Sequence, residues 1–158
     1  MLDLDGVLAD TRHRMRYLET RPKNWPAFFA AALDDPAHPE GLAAARTAVQ
    51  RGLAVVYLSG RPEPCRADTE RWLSEHDAPP GPVLLRPADD HQPADRLKVS
   101  VLRGLAEHHH LRLLVDDDPR VVAAVRAARP PLVEAVMLAD WQPHSATMAR
   151  AQHGRART

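Results

Sequence analysis

Two groups of aspartates carry the clearest chemical signal in the sequence. Asp3 and Asp5 are separated by one residue and followed by Gly6, and Asp116 and Asp117 are adjacent. Side chains two residues apart in an extended chain point to the same side, so Asp3 and Asp5 would present both carboxylates together. Carboxylates gathered in one crevice cannot all stay ionised without a cation, and their hard oxygen atoms suit Mg²⁺. The sequence therefore predicts a magnesium site, provided that the fold brings the two groups together.

Other functions of these aspartates are weaker hypotheses. A calcium-binding loop is excluded, because Val7, Ala9 and Thr11 stand where its later ligands belong and no glutamate closes the loop. A turn-forming Asp-Gly pair remains an alternative for the first group. Capping of the following helix remains an alternative for Asp116 and Asp117.

The elements that would position these side chains follow from the hydrophobic pattern. Apolar runs at 1–4, 53–58, 83–85, 111–115 and 135–138 predict strands, and amphipathic stretches at 40–51, 66–76, 94–108 and 119–129 predict helices. This alternation predicts an α/β fold with a parallel sheet and helices on both faces. Ligands of such sheets bind beyond the carboxyl ends of the strands, where this chain has Asp3, Ser59 and Asp116. We therefore expect both aspartate groups in one crevice.

Four motifs in chain order give the pattern a family resemblance. The strings DLDGVLAD, LSGRP and VDDDP each stand at or just after a predicted strand end, and Lys98, in the predicted helix at 94–108, lies between the last two in chain order. Together they resemble the four motifs of the haloacid dehalogenase (HAD) superfamily of phosphotransferases, across nearly the whole chain. The resemblance implies a Rossmann-like HAD fold. A cap domain would have to be inserted between the first motif and the predicted helix at 40–51, or between the predicted helix at 66–76 and Lys98. Both gaps are too short for a domain, so we expect a minimal cap or none.

The resemblance also implies roles for individual residues. Asp3 would attack phosphorus and become an aspartyl-phosphate, and Asp5 would protonate the leaving oxygen and then activate water. Ser59 would hydrogen-bond the phosphoryl group, and Lys98 would neutralise the charge on Asp3 and the phosphate. The alternatives are that Ser59 is a simple turn residue and that Lys98 is a solvated helix lysine.

The same resemblance implies the magnesium ligands. Asp116 would bind Mg²⁺ together with Asp3 and the main-chain carbonyl of Asp5, and Asp117 would orient that group.

A closer resemblance is to the phosphatase domain of polynucleotide kinase-phosphatase enzymes, which remove 3′-phosphates from nucleic-acid ends. It is carried by the strings LADTRHRMRYLE, KNWPAFF, SGRPE, TERWL, LLRP and DDDPRVV. It implies that Arg14, Arg61 and Arg86 hold phosphate or substrate, with Arg12 as an alternative match for Arg14. The planar guanidinium fork of arginine binds phosphate oxygens in pairs. No phosphate-binding loop of kinase type occurs, so any kinase would be another chain. A separate kinase or ligase partner is a hypothesis that the sequence leaves open.

Composition excludes several other classes of protein. The 21 Lys and Arg balance the 21 Asp and Glu, which argues against binding nucleic acid or membranes by bulk charge. Cys65 is the only cysteine, so an intramolecular disulfide is impossible. The chain has neither an apolar run of membrane-spanning length nor a signal-peptide pattern, so we expect a cytoplasmic protein. We expect a single HAD-like domain at 1–150 and a flexible tail at 151–158.

These observations predict a Mg²⁺-dependent phosphatase that acts through an aspartyl-phosphate, with a nucleic-acid 3′-phosphate end as the leading substrate. One alternative is a phosphatase for free nucleotides or other small phosphate esters. An alternative of another class is a non-catalytic nucleic-acid-binding or adaptor domain. Trp25, Phe28 and Phe29 favour a hydrophobic anchor beneath a loop, and base stacking is the alternative.

Overall fold

The computed structural model describes residues 1–141, so the predicted tail at 151–158 lies outside the described part of the chain. The helices and strands, in chain order, are α1 (Arg16–Glu19), α2 (Trp25–Ala30), α3 (Pro39–Gln50), β1 (Tyr57–Pro62), α4 (Arg66–Glu75), β2 (Val83–Arg86), α5 (Ala94–Ala106), β3 (Leu113–Asp116), α6 (Pro119–Ala127) and β4 (Ala135–Leu138). The predicted helices are confirmed to within about two residues at each end. Within this range no helix combines the length and apolar character needed to cross a membrane.

The N-terminal segment joins two pairs of parallel strands into one sheet. β1 pairs with β2, and β3 pairs with β4, in both cases parallel. Leu2 forms parallel bridges to Tyr57 on one side and to Val115 on the other. The resulting order is β2, β1, N-terminal segment, β3, β4, so the direction in which the chain adds strands reverses at the N-terminal segment. Such a reversal opens a crevice at the carboxyl ends of the strands, immediately beyond Leu2.

Two predicted strands differ from those observed. The first, at 1–4, is reduced to the bridges of Leu2, although main-chain hydrogen bonds flank it on both sides. The second, predicted at 53–58, begins at Tyr57 and continues to Pro62. Its neighbour β2 begins at Val83, which pairs with Tyr57, so residues before Tyr57 have no ladder partner in β2. The apolar run therefore predicted the strand but placed it too early.

The carboxyl half of β1 is irregular. Leu58 pairs with Leu84 and Pro62 pairs with Arg86, so residues 59–61 of β1 oppose one residue of β2. Such a bulge bends the strand and redirects side chains. Ser59 and Arg61 belong to this bulge, at the edge of the crevice.

Helices cover both faces of the sheet, as predicted. On one face, α3 and α4 pack against the sheet through a buried cluster that includes Leu42, Ala45, Trp72, Leu73, Tyr57 and Val115. On the other face, α5 and α6 pack through a second cluster that includes Leu102, Val121, Val125, Leu58 and Leu114. Consecutive residues of one strand thus point to opposite faces of the sheet, and both faces are buried. The structure is a mixed α/β fold of Rossmann-like type.

A small helical insertion, residues 12–34, follows the first motif. It contains α1, α2 and two 3₁₀ helices, and Met15, Leu18 and Phe28 form its buried centre. Asn24 caps α2 by accepting a hydrogen bond from the main chain of Ala27. Within residues 1–141 no larger insertion interrupts the sheet and its helices, which confirms the expectation of a minimal cap.

A close contact between α3 and the first motif provides a test of this packing. A Cβ atom on Gly41 would lie 2.0 Å from the carbonyl oxygen of Val7, whereas one on Gly104 in α5 would meet nothing within 4 Å. We expect Gly41→Ala to lower the free energy of unfolding by roughly 1–3 kcal/mol, because backbone must shift. Gly104→Ala should raise it by up to about 1 kcal/mol through helix propensity. Urea unfolding measures both, and equal effects of the two substitutions would contradict the close contact.

Candidate active site

Side chains from three neighbouring strand ends and from α5 meet in one crevice. The cavity there is lined by residues that include Asp3, Asp5, Ser59, Arg86, Lys98 and Asp117. The sequence-based expectation that these motifs share one crevice is therefore met in the structure.

Lys98 connects the first and last motifs. It lies in α5 and is fully buried, and its Nζ donates to Asp3 Oδ2 and to Asp116 Oδ2, each at 2.5 Å. Burial alone would lower the pKa of Lys98, but Asp116 and Asp3 raise it overall. The lysine is therefore charged at neutral pH and holds two carboxylates that the chain places 113 positions apart, at residues 3 and 116.

Asp3, Asp116 and Asp117 form a buried acidic trio. One carboxylate oxygen from each lies within 4.8 Å of the others. Burial raises the pKa of Asp3 to about 7 against the opposing effect of Lys98. Burial and the charge of Asp3 raise the pKa of Asp117 well above its usual value. The single positive charge of Lys98 is thus too small to neutralise the three carboxylates of this trio.

This trio fits a divalent cation. It offers three hard oxygen ligands from separate side chains, and a cation would relieve the repulsion that raises the pKa values of these carboxyls. The Asp5 carboxylate is not part of the group, because it is bound elsewhere. The predicted contribution of the Asp5 main-chain carbonyl stays a prediction.

Asp5 lies in a second ionic cluster with two buried arginines. Its Oδ1 accepts hydrogen bonds from Arg14 Nη2 at 2.8 Å and from Arg61 Nη2 at 2.6 Å. Burial alone would raise the pKa of Asp5, but Arg14 and Arg61 lower it well below the usual range. Asp5 is therefore ionised in this conformation, and two of the three predicted phosphate-binding arginines, Arg14 and Arg61, are bound to it.

Asp35 completes this cluster, and sequence reasoning missed it. Its carboxylate is buried and accepts from Arg14 Nε at 2.7 Å, from Arg61 Nη2 at 3.1 Å and from the ring of His13 at 2.7 Å. The indole of Trp72 donates to its main-chain oxygen. The only sequence signal was an aspartate preceding a proline after the aromatic segment, which is typical of an ordinary turn.

The two candidate arginines after the first motif have different environments. Arg14 is fully buried, and its guanidinium stacks 4.1 Å from the centroid of the Phe28 ring. Arg12 is mostly exposed and pairs with Asp10. The structure therefore brings Arg14 into the site and leaves Arg12 at the surface.

Ser59 and Arg86 also line the cavity. Ser59 is buried, and its Oγ accepts from the main chain of Arg61 at 3.2 Å. Arg86, at the end of β2, donates to the main chain of Gln92 at 2.7 Å and to the Asp90 carboxylate at 3.3 Å. Arg86 also lines a second, larger cavity next to the first.

Comparison with known proteins identifies the family. A family model described as the polynucleotide kinase PNKP phosphatase domain matches residues 1–134. The chain belongs to this family. It is a PNKP-type phosphatase domain of the HAD class, as the motifs predicted. No curated protein matches the chain significantly.

Solved structures show the same fold. One, titled "Structure of Pnkp1/Rnl/Hen1 complex", has a TM-score of 0.73 and 24 % identity over 90 % of this chain and 45 % of that chain. Another, titled "Structure of the Pnkp1/Rnl/Hen1 RNA repair complex", has a TM-score of 0.69 and 24 % identity over 89 % of this chain and 42 % of that chain. This PNKP-type domain thus spans less than half the length of either chain.

Asp117→Asn tests the cation site of the PNKP-type domain. Without divalent cations, the variant should unfold at a higher temperature than the wild type, because it removes one buried like charge. Mg²⁺ at about 100 times its dissociation constant should raise the melting temperature of the wild type by roughly 5–10 °C and that of the variant much less.

Asp118→Asn is the matched control. Asp118 caps α6 by accepting from Arg120, and asparagine also caps helices, so the Mg²⁺-induced shift should persist. An equal shift in wild type and Asp117→Asn would contradict the assignment of the trio.

The buried ionic cluster predicts unequal effects of two neighbouring substitutions. Arg14→Gln should lower the free energy of unfolding by roughly 3–5 kcal/mol, because Asp5 and Asp35 lose a shared buried partner. Arg12→Gln removes a surface pair and should cost about 1 kcal/mol or less. Urea unfolding compares the two variants, and a loss in Arg12→Gln as large as in Arg14→Gln would contradict the cluster.

Proposed function

We propose that this chain is a Mg²⁺-dependent phosphatase that removes phosphate from 3′ ends of nucleic acid through a covalent intermediate on Asp3. The observation that carries the proposal is Asp3 itself, held by Lys98 beside Asp116 and Asp117 at the reversal point of the sheet. Family membership supports the same chemistry.

Asp3 is the proposed nucleophile. Its Oδ1 accepts from the main chain of Leu4 at 2.7 Å and its Oδ2 from Lys98, so the carboxylate orientation is fixed. An oxygen of Asp3 forms the bond to phosphorus while the bond from phosphorus to the 3′ oxygen breaks. Lys98 favours the ionised form of Asp3 that this attack needs. Magnesium held by Asp3, Asp116 and Asp117 would offset the negative charge of the phosphate.

Asp5 is the proposed general acid and base. In the observed conformation it is ionised and bound to Arg14 and Arg61, so it must leave them and take up a proton before it can donate one. A bound phosphate brings a competing negative charge to the same arginines, which favours this exchange. Asp5 then gives its proton to the leaving 3′ oxygen.

The second half of the reaction restores the enzyme. Asp5, now a carboxylate, accepts a proton from a water molecule whose oxygen bonds to phosphorus. The bond between phosphorus and Asp3 breaks, and its electron pair returns to the Asp3 carboxylate. Inorganic phosphate is released, and the proton that Asp5 gave in the first step is replaced by the one from water.

The proposal of a polymer end rests on the family and on the open site. The insertion at 12–34 is small, and the cavity at Asp3 adjoins a larger one beyond Arg86. The similar structures are named as Pnkp1/Rnl/Hen1 complexes, one of them an RNA repair complex. We propose that this chain works beside a separate kinase or ligase, and a cytoplasmic location stays a prediction.

The decisive measurement is phosphate release from a 3′-phosphorylated oligonucleotide, as RNA and as DNA, and from a matching 3′-mononucleotide. We expect Mg²⁺-dependent release with a kcat/KM at least about 10-fold higher for an oligonucleotide, because the polymer makes further contacts. Asp3→Asn should lower turnover by about 10³-fold or more, because the nucleophile is lost. Asp34→Asn, at an exposed position, is the control and should retain activity.

The possible results separate the parts of the proposal. Intact turnover in Asp3→Asn would contradict the aspartyl-phosphate mechanism. Equal or better turnover of the mononucleotide would contradict a polymer end as substrate and favour a phosphatase for small esters.

A further inference from the structure

A second cavity, of about 530 Å³, lies next to the proposed active site. It shares Trp25, Phe29 and Arg86 with the cavity that contains Asp3, so the two cavities adjoin at these three residues. Its volume is within the range of about 300–1,000 Å³ that is typical of ligand sites. A substrate bound at Asp3 can therefore extend past Arg86 into this space.

Two aromatic rings form part of the wall of this cavity. Trp25 and Phe29 lie four residues apart on α2, and their rings are nearly parallel, with centroids 5.8 Å apart and an interplanar angle of 23°. The ring of Phe28, which is buried, packs edge-on against both. The pair is half-buried and held in place, so it offers a rigid aromatic surface at little entropic cost.

The charges on the wall select the kind of group that fits there. Asp68 and Asp90 contribute carboxylates, and among the described lining residues Arg86 and His91 are the only basic side chains. Arg86 is itself bound to Asp90. A phosphodiester would be repelled by the Asp68 carboxylate on this wall, whereas a neutral planar group would not.

We propose that this cavity binds the base of the nucleotide that carries the 3′-phosphate, stacked against Trp25 and Phe29. The inference rests on the proposed function and adds to it a site for the terminal base. The base is the neutral, planar group attached to the same sugar as the reacting phosphate, and aromatic side chains stack on bases of any sequence. The aromatic segment then serves both as the anchor of the insertion and as a substrate contact.

The test uses three RNA oligonucleotides with a 3′-phosphate: one complete, one lacking the terminal base and one lacking the penultimate base. With wild-type protein, loss of the terminal base should lower kcat/KM by roughly 5- to 150-fold, which corresponds to one base stack. Loss of the penultimate base should change kcat/KM by less than about 2-fold, which is much less than the effect of losing one base stack.

Trp25→Leu should lower kcat/KM for the complete oligonucleotide by a similar factor and have little effect on the one without a terminal base. Trp25→Phe is the matched variant and should restore most of the activity, because it keeps an aromatic face. The melting temperature of each variant shows whether the insertion remains folded.

Each contrary result overturns the proposal in a distinct way. Equal losses in Trp25→Leu on the complete and the terminally abasic oligonucleotide would show that Trp25 only supports the insertion. If kcat/KM depended on the penultimate base instead of the terminal one, the cavity would bind the penultimate base, which contradicts the proposal. Release from none of the oligonucleotides, with turnover of glycerol phosphate, would overturn the proposed function and this inference together, whereas equal turnover of all three would overturn this inference alone.

Discussion

Burial of several carboxylates at one edge of the sheet is the constraint on which the rest of this structure depends. Asp3, Asp116 and Asp117 lie close together and away from water, where each disfavours ionisation of the others. Lys98 offsets part of that charge and reaches two of them from α5. The remaining charge is what makes the trio suited to a cation, and through the cation to an anionic phosphate. The order of strands in the sheet brings Asp3 and Asp116 together at the crevice, and α5 carries Lys98 to them.

A second ionic cluster keeps the arginines in place beside the first. Arg14 and Arg61 are buried, and Asp5 and Asp35 together balance their two charges. Among residues 1–141, no buried side-chain nitrogen or oxygen lacks a hydrogen-bond partner. The zero net charge of the chain thus conceals two separate buried clusters, one dominated by acids and one balanced. In the proposed mechanism, this separation would let a negatively charged substrate compete for the arginines while the acidic trio held a cation.

Much of the fold could be predicted because it depends on local patterns. Buried parallel strands produce continuous apolar runs, and the helices that cover them produce amphipathic stretches, as at β3 and α6. The position of β1 could not be predicted in the same way, since its start depends on where β2 offers a partner. The helices of residues 12–34 were also missed. Each is too short to show a period, and they are stabilised by packing around Phe28.

Within the site, the order of residues along the chain is enough to show which residue types stand at the ends of successive strands. That was enough to predict that Asp3 and Asp116 meet, because parallel strands place their carboxyl ends at one edge. Lys98 lies in α5, and its place beside them was implied only by the family resemblance. Three features depend on the folded chain: Arg14 rather than Arg12 is buried, Asp35 pairs with Arg14, and Asp5 turns toward the arginines. Ion pairs form between side chains that lie close together in space. The spacing of residues 5, 14, 35 and 61 along the chain does not fix that proximity.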